Sequence, residues 1–133
     1  MLVDGFDALL LDLDGVLYQS YRPFPEARRV LETLRGMGKS LRFITNDPRP
    51  TRQEVVDKLR GMGMAASLEE VVTSGWTAAR WLRARLRPRS PVLVVGSAGL
   101  ATEVLDAGLT VTDKPDECVA VLMGCDEVVG YTH

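Results

Sequence analysis

Leu9-Leu10-Leu11-Asp12-Leu13-Asp14-Gly15-Val16-Leu17-Tyr18 is the stretch that decides the fold. An apolar run ending in two carboxylates and a glycine reads as a buried strand delivering acid groups into a turn, which is where an open α/β sheet does its chemistry. Asp12 and Asp14 stand two residues apart at the strand's end, so both can face one small site. Gly15 permits a sharp exit that a residue with a Cβ resists. In such a pair one carboxylate can act as nucleophile and the other as acid and base. The same residues also describe an ordinary solvated acidic turn. A calcium loop is discarded, because an EF-hand needs oxygen ligands at wider regular intervals and a distant glutamate, whereas Val16-Leu17-Tyr18 follows here.

A second apolar run, Ser40-Leu41-Arg42-Phe43-Ile44-Thr45-Asn46-Asp47-Pro48, ends in a hydroxyl and an amide. The Thr45 side chain and the backbone N–H of Asn46 can hold phosphoryl oxygens as donors fixed before charge develops on the transferred group. Alone this ending is a common turn. Beside the first motif it points to phosphoryl chemistry.

With both motifs in this order, the chain resembles the haloacid dehalogenase superfamily, in which D-x-D-G-V-L closes the first core strand and a Thr-Asn pair the second. It is most similar to NagD-like and 4-nitrophenylphosphatase-like enzymes, whose second motif reads T-N-N and precedes a Thr/Ser-Arg-capped helix, here Thr51-Arg52-Gln53-Glu54. The resemblance implies a Mg²⁺-dependent hydrolase of small phosphate monoesters. In it Asp12 attacks phosphorus to form an aspartyl-phosphate, and Asp14 protonates the leaving oxygen and then activates water. Thr45 and Asn46 would bind the phosphate. Mg²⁺ would be held by the Asp12 carboxylate, by the Asp14 backbone carbonyl and by acidic residues further along the chain. An acid at Asp14 favours ester hydrolysis, since members that break carbon–halogen bonds or act on phosphonates usually lack one there. Charge also asks for a cation, because Asp12, Asp14 and Asp47 would repel a phosphate dianion, and Mg²⁺ suits an all-oxygen site with retained waters.

The chain departs from the family pattern in two places. Asp47 stands where the relatives usually carry a second Asn, adding a negative charge beside the phosphate site unless it is turned outward or paired. The family's third motif, a lysine, and its fourth, an acidic cluster, have no match after Asp47. Lys39, Lys58 and Lys114 read as solvated surface charges. Asp113-Lys114-Pro115-Asp116-Glu117 reads as a connection rather than a metal site. The intact first half without lysine and cluster keeps a second reading open, a non-catalytic phosphate-binding or interaction module.

Alternating strands and helices predict parallel α/β layers. Strands are expected at Asp7–Asp12, Leu41–Thr45, Glu70–Thr73, Pro91–Gly96, Leu109–Thr112 and Val119–Met123. A helix from near Pro25 should bury Ala27, Val30, Leu31 and Leu34, and one from Thr51, with a Thr51/Glu54 capping box, should bury Val55, Val56 and Leu59. Ser74 is expected to cap a helix whose Arg80, Arg83 and Arg87 face solvent opposite Ala78, Ala79, Leu82 and Leu86, with Trp76 and Trp81 packed. Gly96-Ser97-Ala98-Gly99 lacks the full dinucleotide-loop spacing and reads as a turn opening the helix through Leu100, Val104 and Leu105. Only about thirty residues separate Asp14 from Thr45, too few for a lid there. The fold class is therefore a Rossmann-like parallel α/β sheet, incomplete, with part of an inserted α/β cap. Residues 1–74 are read as the N-terminal part of the core and 75–133 as the first part of a C2-type cap. The chain is expected to be C-terminally truncated, ending inside that cap near Gly130-Tyr131-Thr132-His133. The family places its fourth core strand beside the first, so the Asp12 strand is expected to have an unpaired edge and the chain to be marginally stable.

The chain has 133 residues, enough for one ordinary core, with 46% hydrophobic residues and a net charge of −2, which argues against general nucleic-acid affinity. Cys118 and Cys125 lack metal-ligand spacing and read as free buried thiols in a reducing compartment. No stretch approaches membrane-spanning length. A cytoplasmic protein acting on a small phosphorylated metabolite is expected, with neither nucleic acid nor membrane as partner. A homo-oligomer stays open.

Overall fold

The structure is a computed structural model that describes residues 2–125; the expected chain end at Gly130-Tyr131-Thr132-His133 lies outside the described residues. The chain divides into two compact units. One holds the chain up to Thr45 together with Gln53–Val72, and the other holds Asn46–Arg52 together with the chain from Thr73 onward.

In the first unit β1 (Ala8–Asp12) leads through a short hairpin, β2 (Tyr18–Gln19) and β3 (Arg22–Pro23), to helix α1 (Ala27–Gly36) and strand β4 (Ser40–Thr45). Helix α2 (Arg52–Gly61), all but its first residue, a 3-10 turn (Leu68–Glu70) and strand β5 (Val71–Thr73), up to Val72, complete it. The sheet order is β1-β4-β5, and β1 runs parallel to β4 from Ala8 opposite Ser40 to Asp12 opposite Ile44. A parallel pair needs a crossover, and α1 supplies it. The helix buries Ala27, Leu31 and Leu34 against Leu41 and Phe43 of the central strand, while Val55, Val56 and Leu59 of α2 join the same core. Val30, expected on the buried face, is 45% exposed, because Ala27, Leu31 and Leu34 define the stripe and Val30 lies one residue off it. Among the described residues β1 pairs with β4 alone, and Leu10 on it is 71% exposed. The Arg35 guanidinium ties α1 to the 3-10 turn. It meets both Glu70 oxygens at 2.6 and 3.0 Å and donates to the Ala65 carbonyl, while the Ser67 N–H donates to Glu70.

The second unit is built on β6 (Pro91–Val95), with β7 (Thr110–Thr112) and β8 (Ala120–Met123) parallel on either side of it. Helices α3 (Ser74–Arg83) and α4 (Ala98–Asp106) contribute Ala79, Leu82 and Val104 to a core with Val92 and Leu109. The N-cap of α3 is Thr73, whose Oγ1 accepts the Trp76 N–H at 3.1 Å. Ser74, the expected cap, is the first helical residue and donates its hydroxyl to the Asn46 carbonyl at 3.0 Å. Arg80 and Arg87 lie in solvent as expected, with Arg83 half-buried. Trp81, expected to pack, is 56% exposed and lies under the Arg85 guanidinium, 3.9 Å from its ring centre, whereas Trp76 is half-buried between Arg52 and Arg80. The cysteines are free but not buried as expected: Cys118 is half-buried with its thiol on the Pro115 carbonyl, and Cys125 is exposed.

Candidate active site

The loop after β1 is pinned by its apolar residues and presents its acidic ones. Leu13 and Leu17 are buried, and the Leu13 carbonyl accepts the N–H groups of Val16 and Leu17 at 3.2 and 2.9 Å. Between them Gly15 adopts φ +83, a conformation that disfavours any side chain, and donates to the Tyr18 carbonyl at 2.7 Å. Asp12 and Asp14 are thereby left exposed. Asp12 Oδ1 accepts the Leu13 N–H at 2.9 Å, and Asp14 Oδ1 accepts the Ser20 N–H at 3.4 Å.

Because Asp12 lies opposite Ile44, Thr45 stands one residue further along the adjoining parallel strand, at the same carboxyl end of the sheet. Asp12 and Thr45 thus stand at the same end of neighbouring strands in the first unit, with Asp14 two residues beyond Asp12 in the loop. Asn46 follows Thr45 in the chain, is exposed, and is the first residue of the second unit. The charge on Asp47 is balanced by a neighbour. Arg49 reaches both its carboxylate oxygens at 2.8 Å, and the Arg49 N–H donates to it at 3.0 Å.

The oxygen donors of Asp12 and Asp14 suit a hard cation such as Mg²⁺, which takes one or two carboxylates and keeps waters. Among the described residues no group of three or more His, Cys, Asp or Glu side chains is placed to hold a metal. In the Asp113–Glu117 connection Lys114 pairs with Glu117 at 2.7 Å. Lys39 donates to the Phe6 carbonyl. Lys58 departs from the expected solvated charge, since its ammonium lies against the rings of Tyr18 and Tyr21. Two tyrosines three residues apart in a turn gave no sequence signal for that contact.

The Gly96–Gly99 turn is filled by its own unit, as a helix-opening turn. Ser97 caps α4 by accepting the Leu100 N–H and donates to the Arg49 carbonyl at 2.8 Å; a Cβ on Gly99 would collide with that same carbonyl. Glu103, which the sequence did not single out, is 5% exposed and accepts the Arg52 N–H at 2.7 Å.

Fold and site together define a Rossmann-like α/β protein that presents strand-end aspartates beside a threonine. Residues 9–110 match the haloacid dehalogenase-like hydrolase family, and the chain belongs to it. It is 29% identical to the 4-nitrophenylphosphatase of Schizosaccharomyces pombe over 128 residues, covering 95% of this chain and 43% of the relative. The crystal structure of a Mycobacterium tuberculosis glycerol phosphate phosphatase in complex with magnesium superposes with a TM-score of 0.83 at 35% identity, covering 95% of this chain and 38% of that one. NagD from E. coli superposes with a TM-score of 0.79 at 27% identity, over 95% and 49% of the two chains. The chain spans less than half the length of each of these proteins.

Proposed function

We propose that this chain carries the nucleophile and the phosphate-contacting strand ends of a Mg²⁺-dependent phosphatase of small phosphomonoesters. The observation that supports it is the exposure of Asp12 and Asp14 at the end of β1, beside Thr45 at the end of β4. A carboxylate oxygen of Asp12 attacks phosphorus, forming an aspartyl-phosphate as the ester P–O bond breaks, and Asp14 gives its proton to the leaving oxygen. Water then attacks the same phosphorus, Asp14 takes its proton, and phosphate leaves as Asp12 is regenerated. The Thr45 hydroxyl and the Asn46 N–H donate to the phosphoryl oxygens. The Asp12 carboxylate and the Asp14 backbone carbonyl would hold Mg²⁺, which when bound offsets the charge of carboxylates and phosphate. The magnesium in the mycobacterial relative and the phosphatase names of the relatives support this reading. The second unit is read as the beginning of the inserted cap. The unpaired cysteines fit a reducing cytoplasm.

The test is release of inorganic phosphate from 4-nitrophenyl phosphate and glycerol phosphate with Mg²⁺ by a version of the protein that spans the full length of its relatives. Asp12→Asn is expected to lower it by about a thousandfold or more, and EDTA to abolish it. Unchanged release by Asp12→Asn overturns the assignment. Calorimetric binding of phosphate that needs Mg²⁺ and proceeds without turnover would support the non-catalytic binding module instead.

A further inference from the structure

Ser20 has φ +57, in the left-handed region that a residue with a Cβ occupies only when its surroundings hold it there. It lies at the turn of the β2–β3 hairpin, where Tyr18 faces Pro23 and Gln19 faces Arg22, and its N–H is the donor to Asp14. Strands of two residues cannot fix such a turn by their own ladder. A side chain from α2 grips it from outside. The Lys58 ammonium lies 4.2 Å from the centre of the Tyr18 ring and 4.6 Å from that of Tyr21, so it holds the two residues that bracket Gln19-Ser20. These two anchors differ. Tyr18 is buried and joined to the site loop, its carbonyl accepting the Gly15 N–H and its backbone bridging Asp14. Tyr21 is 80% exposed, and its ring rests on the cation.

We propose that Lys58 is a positioning residue for Asp14: stacked on both tyrosine rings, it holds the hairpin turn at which the Ser20 N–H engages the Asp14 carboxylate. Its consequence for catalysis rests on the reading of Asp14 as acid and base, but the clamp itself is measurable without turnover. Lys58 acts through the hairpin and not on the phosphate.

The experiment is amide hydrogen exchange, read by NMR on the 133-residue chain, in the parent protein, Lys58→Met and Lys58→Arg. Methionine keeps the apolar stem and removes the charge, whereas arginine keeps a cation that stacks on aromatic faces. In Lys58→Met the Ser20 and Gly15 amides are expected to exchange about fivefold faster, with the β4 amides unchanged, and Lys58→Arg is expected to restore the parent rates. Unchanged exchange at Ser20 in Lys58→Met overturns the proposal. Equal acceleration in β4 also overturns it, since Lys58 would then be a general stabiliser, and so does failure of arginine to restore the rates. Should Lys58→Met not fold, Tyr21→Leu decides, because it removes only the exposed half of the clamp: faster exchange at Ser20 is expected, and no change overturns the proposal. Since exchange needs no substrate, loss of the nucleophile assignment at Asp12 leaves the clamp standing, and loss of the clamp leaves that assignment standing.

Discussion

After β1 the chain turns through Gly15 at φ +83, with nothing within 4 Å of where a Cβ would stand; after β6 it turns through Gly96-Ser97-Ala98-Gly99, where a Cβ on Gly99 would strike the Arg49 carbonyl. Both are strand-to-turn steps at the carboxyl end of a parallel strand, and both depend on glycine. At Gly15 the need is a backbone conformation, and at Gly99 it is space. The first turn therefore stays open and leaves Asp12 and Asp14 in solvent, while the second is closed by its own chain through the Ser97 hydroxyl. A glycine-containing turn receives a ligand only where the fold leaves it unfilled, and residue type alone does not report which case holds.

The comparison is broken most directly at Gly99. Gly99→Ala sets a methyl group against backbone that no side-chain rotation can relieve, and is expected to cost about 3 kcal/mol in urea unfolding. Gly15→Ala meets no neighbour and pays only for its left-handed backbone, so about 1.5 kcal/mol is expected. Equal losses at the two positions would show that the two turns do not differ in this way. A smaller effect comes from the brace inside the first unit. Burial pushes the Glu70 carboxyl up, but hydrogen bonds from Arg35 and Ser67 and the nearby guanidinium charge outweigh it and hold the group below its ordinary 4.5. A carboxyl lowered on folding contributes stability that is complete above about pH 4.5 and is lost as pH falls through the folded value. The urea midpoint is therefore expected to drop below pH 4.5, with a loss of at most about 1 kcal/mol because Arg35 is partly solvated. Glu70→Gln should flatten that part of the profile, and an unaltered profile would remove the brace from the account.

The strands that carry the site were legible because Leu9-Leu10-Leu11 and Leu41-Arg42-Phe43-Ile44 are apolar runs closed by polar residues, and the parallel α/β class followed from their alternation with helices. The hairpin between them was not. Tyr18-Gln19 and Arg22-Pro23 contain no β-branched residue, and their turn uses Ser20 at positive φ where hairpin turns in general favour Gly or Asn. That Asp12 and Thr45 end neighbouring strands could be read from the sequence, because the carboxyl ends of parallel strands lie along one edge of the sheet. The arginine that balances Asp47 and the lysine stacked on two tyrosines could not, since side-chain pairing depends on turn geometry that spacing does not encode. The cap of α3 was misplaced by one residue because Thr73 and Ser74 are both cap-forming types, and only backbone geometry separates them.

The register of β1 on β4 also bears on how the protein folds. Asp12 meets Ile44 only after about thirty residues, with α1 among them, have been closed into a loop, a cost that grows slowly with length but falls due before any contact repays it. Acid and hydroxyl therefore meet in the same event that completes the sheet. A folding intermediate with α1 formed and β1 still unpaired would hold Asp12 and Thr45 apart, so protection of the β1 and β4 amides during refolding should lag helix formation.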